Sequence, residues 1–178
     1  MQRSDELLNL QARSLGELSE NINTLTGGDS FIFLSYFSPR QQFLFFIPVG
    51  KYPLYDVSAR IHDTQKPISS DLFGNLFGST IGLGDVIPQN GGLVRPIPPW
   101  FSRSDEISVN IFFSARNGTW TELLRARPAD GARAIRVLGR FTSLKKEKII
   151  CETISPGFPL DDPDGLGTPS VPRPPKCE

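Results

Sequence analysis

Histidine occurs once in the 178 residues, at His62, and cysteine and tryptophan occur twice each. One histidine excludes metal sites built from several imidazoles and leaves a single candidate base for a hydrolase triad. The nucleophile elbow G-x-S-x-G is absent, and so is a phosphate-cradling P-loop. An excess of either charge is also lacking, because 19 Lys and Arg balance 19 Asp and Glu. With an ordinary apolar content, that balance argues against disorder as the default state.

No window approaches the ~20 apolar residues of a membrane-spanning helix, and no basic segment followed by an apolar run opens the chain. The expectation is a soluble chain without a secretory signal, cytoplasmic or peripheral to a membrane, with an anchor upstream left open. Cys151 lies in a β-rich run and Cys177 near the end of a proline-rich tail. Two free thiols are therefore expected, one buried and one exposed, rather than a disulfide.

What is present in quantity is strand pattern. Asn117-Gly118 is a hairpin signal, because a two-residue type I′ turn needs positive φ at both central positions. With that pair as the loop, Phe113 faces Glu122, Ile111 faces Leu124 and Val109 faces Ala126. These residues share one face, apolar except for Glu122. The opposite face carries Ser114, Phe112, Asn110 and Ser108 against Thr121, Leu123, Arg125 and Arg127, and is expected to be wet. Asp130-Gly131 adds a third strand that sets Ala126 against Ile135, Leu124 against Val137, Glu122 against Gly139 and Arg125 against Arg136. The two turns agree on one inner face, which predicts a meander from Ile107 to Phe141 with Val109, Ile111, Phe113, Trp120, Leu124, Ile135 and Val137 in the core.

Before the meander, Met1, Leu8, Leu15 and Ile22 mark one seam of a heptad and Leu18 and Leu25 the other, with Ser4 and Gln11 as polar exceptions. Thr26-Gly27-Gly28 supplies a stop. This helix fits a short coiled coil that self-associates or an amphipathic helix docked on the domain. Phe31 to Phe37, Gln41 to Val49, Tyr55 to Ile61 and Ile81 to Ile87 read as strands, and Ile149 to Ile154 as the last. Thr64 to Thr80 is expected to form a helical turn plugging one end of the domain. Pro96, Pro98 and Pro99 confine their stretch to an edge or loop. Seven prolines among the 24 residues from Ser155 to Glu178 predict an extended or disordered tail.

The organisation expected is an amphipathic helix or coiled coil over 1–26, an antiparallel β-sandwich over 27–154 and a flexible tail over 155–178. Within Thr26 to Ile154, Gly50-Lys51-Tyr52-Pro53-Leu54-Tyr55-Asp56-Val57 and Leu83-Gly84-Asp85-Val86-Ile87-Pro88 come in the order of immunoglobulin-like bacterial domains, with the hairpin after them. Thr26-Gly27-Gly28-Asp29-Ser30-Phe31 after a helix, with Asn117-Gly118-Thr119-Trp120 later, is similar to uncharacterised bacterial proteins with a coiled-coil or membrane-anchored segment before such a domain. The resemblance implies an immunoglobulin-like sandwich and brings no activity with it.

Candidates for chemistry are few. Gly82-Leu83-Gly84 lacks the third glycine of a phosphate loop, Asp161-Asp162-Pro163-Asp164-Gly165 lacks the closing glutamate of a calcium loop, and the Asn117-Gly118-Thr119 sequon is accounted for by the turn. No cofactor or metal is expected. Glu122 is a carboxylate on an apolar face, where desolvation raises its pKa, but the meander offers it no partner base, so it is expected at the sheet rim, reaching water or a backbone N–H. Nine Lys or Arg against three acids leave the stretch from Ile107 to Lys148 at +6. Arg125 opposite Arg136 is a like-charge conflict that calls for an acid, from the tail, a protein partner or the phosphates of nucleic acid or anionic lipid. The expected function is a non-catalytic binding or scaffolding module that engages a protein partner through Phe112, Leu123, Arg125, Arg127 and Arg136. The alternative is a small-ligand or carbohydrate binder using Trp100 and Trp120, and an enzyme around Glu122 or His62 comes last.

Overall fold

The computed structural model describes residues 2–37, 43–65, 79–94, 106–129, 132–143, 146–159 and 176. They form one long helix and two antiparallel sheets that share the main hydrophobic core, with a second, smaller cluster of Leu123 and Leu138. In chain order the elements are α1 (Gln2–Thr26), β1 (Phe31–Phe37), β2 (Phe43–Val49), β3 (Leu54–Asp63), β4 (Ser79–Val86), β5 (Gly92–Leu93), β6 (Ile107–Ala115), β7 (Gly118–Ala129), β8 (Ala132–Ser143) and β9 (Lys146–Ile154). The smaller sheet has the order β1-β2-β5 and the larger β4-β3-β6-β7-β8-β9. The plug expected over 64–80 and the prolines at 96–99 fall mainly outside the described residues.

β1 reads as a near-continuous apolar run because it is covered on both faces: Ile32, Phe33 and Leu34 are all buried. β3 alternates instead, with Val57, Ala59 and Ile61 inward. Tyr55 does not continue that face. A bulge between Leu54 and Ser58, with Asp56 at φ 56°, turns Leu54 inward in its place.

The hairpin differs from expectation in a specific way. Ala115 pairs with Gly118, Phe113 with Trp120, Ile111 with Glu122 and Val109 with Leu124, so the loop is Arg116-Asn117. The register has moved by two residues. A shift of two preserves the alternation, so every inward residue stays inward. Phe113 and Trp120 now stack directly, with ring centroids 5.2 Å apart. The cause lies outside the turn: the Asn117 side-chain amide donates to the carbonyls of Gly28 (3.1 Å) and Ser30 (2.7 Å), and this tertiary anchor overrides the type I′ preference. The β7–β8 register is as expected, including Glu122 opposite Gly139 and Arg125 opposite Arg136.

α1 is helical over 25 residues, about 37 Å long. It is not docked on the domain. Among the described residues its contacts come from its last turns, where Glu20 accepts from the hydroxyl of Tyr52 in the β2–β3 loop at 2.7 Å and pairs with Lys51 at 3.0 Å. Tyr52 and then Lys51 hold the Glu20 carboxyl below its ordinary pKa. Gly27 and Gly28 end the helix at positive φ, and a Cβ on Gly28 would lie 2.4 Å from the Tyr52 ring, so no larger residue admits that contact.

Two expectations at the C-terminal end are corrected. Cys151 is disulfide-bonded, not a free thiol, and the chain has only one other cysteine, Cys177. It sits in the core against Gly139, whose absent side chain is needed because a Cβ there would be 3.0 Å from the Cys151 sulfur. The start of the tail is held in place: Ser155 exchanges hydrogen bonds with the Ile135 main chain and Phe158 is buried.

Candidate functional site

The inner face of β7 explains the misfit carboxylate. β1 is the outer strand of its sheet, and one edge would leave main-chain groups without a ladder partner. Three side chains from the β6–β7 hairpin take that place. Asn117 accounts for the carbonyls of Gly28 and Ser30, the Trp120 indole donates to the Ile32 carbonyl at 2.7 Å, and Glu122 accepts from the Leu34 N–H at 2.6 Å. The bonded groups belong to alternate residues 28, 30, 32 and 34, which is the spacing of one strand edge. Glu122 is fully buried rather than at a rim. Burial drives its pKa well above the ordinary carboxylate value, opposed by the Leu34 hydrogen bond. Its second oxygen has no hydrogen-bond partner.

The arginine row is also structural. Arg125, Arg127 and Arg136 do not lie on a wet face; all three are buried, as is Leu123. Arg125 donates to the Val109 and Leu124 carbonyls and to the Asn110 amide oxygen. Arg127 repeats the pattern one pair along, on the Ile107 and Ala126 carbonyls and the Ser108 hydroxyl. Arg136 pairs with Glu152 of β9 through Nε at 3.0 Å and a terminal nitrogen at 2.7 Å, with both side chains almost inaccessible. The acid that the opposed arginines required is thus supplied from within the chain. Glu152 stands across from Leu138, next to a register shift at Gly139/Arg140 that strand alternation does not reveal.

Phe112 alone among the expected binding residues is exposed, at 40 %. Its partner was missed: the Arg60 guanidinium lies over the ring, 5.4 Å from the centroid, within cation–π range. Arg60 pairs across β3–β6 with Phe112 and across β3–β4 with Thr80. Around this pair runs an open groove of about 480 Å³ whose other side chains include Ser58, Thr80, Ser114, Thr119 and Thr121. Ser58 faces Gly82 on the edge strand, which has no side chain to close that side. Among the described residues, none of these five hydroxyls has a hydrogen-bond partner and Arg60 has no ion pair. Phe113 and Trp120 also border the groove but point into the core, so they present main chain there.

An arginine over an aromatic ring offers a planar cationic fork for a carboxylate, sulfate or phosphate, and the ring offers an apolar contact. The hydroxyls act as donors or acceptors as required. Trp120 is buried with its indole N–H used, so it cannot serve as an exposed stacking platform; Trp100 lies outside the described residues. His62 is half-buried at the end of β3 opposite Asn110. Among the described residues, no three His, Cys, Asp or Glu are grouped to hold a metal ion. The chain matches no family model, no curated protein and no solved structure.

Proposed function

We propose that this chain is a non-catalytic binding or scaffolding module whose ligand surface is the outer face of β4, β3, β6 and β7. The single observation that carries the reading is Arg60 stacked on the exposed Phe112, with no ion pair for Arg60 and no hydrogen-bond partner for the surrounding hydroxyls among the described residues. Of the residues expected to bind, Phe112 remains in the surface, whereas Arg125, Arg127, Arg136 and Leu123 support it from the same sheet. A protein partner fits the combination of an aromatic centre with arginine. A carbohydrate or other small polar ligand is the second reading, favoured by the hydroxyl lining and relocated from the tryptophans to this groove.

The immunoglobulin-like assignment belongs to the same proposal. Two antiparallel sheets around the main core support it; the run of consecutive antiparallel pairs from β6 to β9 is a meander and counts against it. The coiled-coil reading of α1 is likewise part of the proposal, supported by its exposed apolar stripe.

A panel of immobilised oligosaccharides and peptides, both including acidic members, tests the binding surface. Ligands retained by the chain are expected to be lost by R60S/F112S, with unchanged thermal unfolding. Retention of every ligand by that variant would refute the assignment.

A further inference from the structure

We infer that α1 is an assembly helix whose partner is α1 of a second copy of this chain, the two running parallel with residues 8–25 as the seam. The inference rests on the coiled-coil reading and adds the occupant and its orientation.

Leu7, Leu8, Leu15, Leu18, Ile22 and Leu25 are each 50–66 % exposed. At 100° per residue they fall within a sector about 100° wide, the width of a helix face that is normally buried; Leu10, equally exposed, lies about 60° outside it. The root of the helix leaves that sector open. Glu20, which binds Lys51 and Tyr52, projects from the opposite side and Asn23, beside Tyr52, from the flank, so the loop after β2 holds α1 without covering the sector. In proteins most of a helix's stability comes from packing of its apolar face rather than from intrinsic propensity. The stripe therefore needs a cover, and the sheets do not provide it.

Charge selects the occupant. α1 carries two arginines against four carboxylates, Asp5, Glu6, Glu17 and Glu20, so an anionic membrane surface repels it. A second copy presents the same apolar spacing in return. Six leucine-sized side chains offer on the order of 600 Å² per helix, and the pair reaches roughly 1,200 Å², the lower bound of stable interfaces.

Polar seam residues select the direction. Gln11 occupies the same seam position as Leu18 and Leu25. Parallel helices set Gln11 against Gln11, where each amide both donates and accepts. Antiparallel helices over the same seam set it against Ile22 and leave two buried amides unpaired. A single polar seam residue fixing register in this way is the best attested role of such residues. The positions flanking the seam, Asp5, Ala12 and Ser19 on one side and Leu7, Ser14 and Asn21 on the other, hold no opposite charges to set the direction instead.

Sedimentation equilibrium of the full chain tests the claim. A mass at least twice 19.7 kDa is expected at micromolar concentration, with L15E/L18E at 19.7 kDa. Both residues are exposed on the stripe, so the variant should keep the unfolding curve of the sheets. Q11L is expected to lower the dissociation concentration at least tenfold. Mild oxidation of S4C should give a cross-linked dimer at the helix start. A monomeric parent at high concentration, or an L15E/L18E variant that still assembles, would overturn self-association through this stripe. Assembly without the S4C cross-link would overturn the parallel arrangement alone, leaving the coiled coil. Recovery of α1 on anionic vesicles with loss of the assembled mass would overturn the choice of a second copy.

Discussion

Replacing Glu122 with glutamine should make the protein more stable as the pH rises. The carboxylate is fully buried, one oxygen accepts the Leu34 N–H at 2.6 Å and the other has no hydrogen-bond partner. Desolvation raises its pKa well above 4.5, so between the unfolded and folded values the native state holds the proton more tightly than the unfolded chain. Stability from this group is fully present below the unfolded pKa and is lost as pH climbs through the folded one, at no more than about 1.4 kcal/mol per pH unit. E122Q keeps an oxygen for Leu34 and has nothing to titrate. Urea unfolding of both chains without reductant, from pH 4.5 to 8.5, should give differences near zero at the acid end that grow steadily in favour of glutamine. E122L serves as the control, because it leaves the Leu34 N–H buried without an acceptor and should cost ~1–3 kcal/mol where Glu122 is neutral. Parallel curves for parent and E122Q, or a parent that gains on the variant at alkaline pH, would rule out a buried Glu122 with a raised pKa.

Asn117→Gly improves the turn on local grounds yet removes both bonds to the Gly28 and Ser30 carbonyls, so a loss of about 1–2 kcal/mol is expected in chemical denaturation. Arg136→Met strands Glu152 in a nearly inaccessible site and should cost roughly 3–5 kcal/mol, whereas R136M/E152M should recover most of it; equal losses would contradict a buried pair. Thiol titration of the unfolded, unreduced chain should find no free cysteine, and Cys151→Ser should lower stability by about 2–5 kcal/mol.

The faces of the strands were legible in the sequence, and their partners only in part. Alternation placed Val109, Ile111, Phe113, Trp120, Glu122 and Leu124 on one side, and a two-residue slip at the hairpin left that unchanged because side chains repeat every two residues. The slip itself was not legible, since it follows from Asn117 reaching carbonyls almost ninety residues away. Burial of the arginines was hidden for a similar reason: alternation says which way a side chain points, not whether main-chain carbonyls and Glu152 wait there. Arg60 alternates with the inward Ala59 and Ile61, but its place beside Phe112 depends on β3 crossing to β6 past β4 and β5, and nothing local encodes that neighbour. The helix was read correctly over nearly its full length because a 3.6-residue repeat is self-contained.

Backbone amide shifts on titrating a ligand from the binding panel locate recognition, at Arg60 and Phe112 or at the meander arginines. The largest shifts are expected at Ser58, Arg60, Phe112, Ser114 and Thr121, and they should disappear in R60S/F112S. Shifts centred on Arg125, Arg127 and Arg136 with this groove undisturbed would contradict recognition at Arg60 and Phe112.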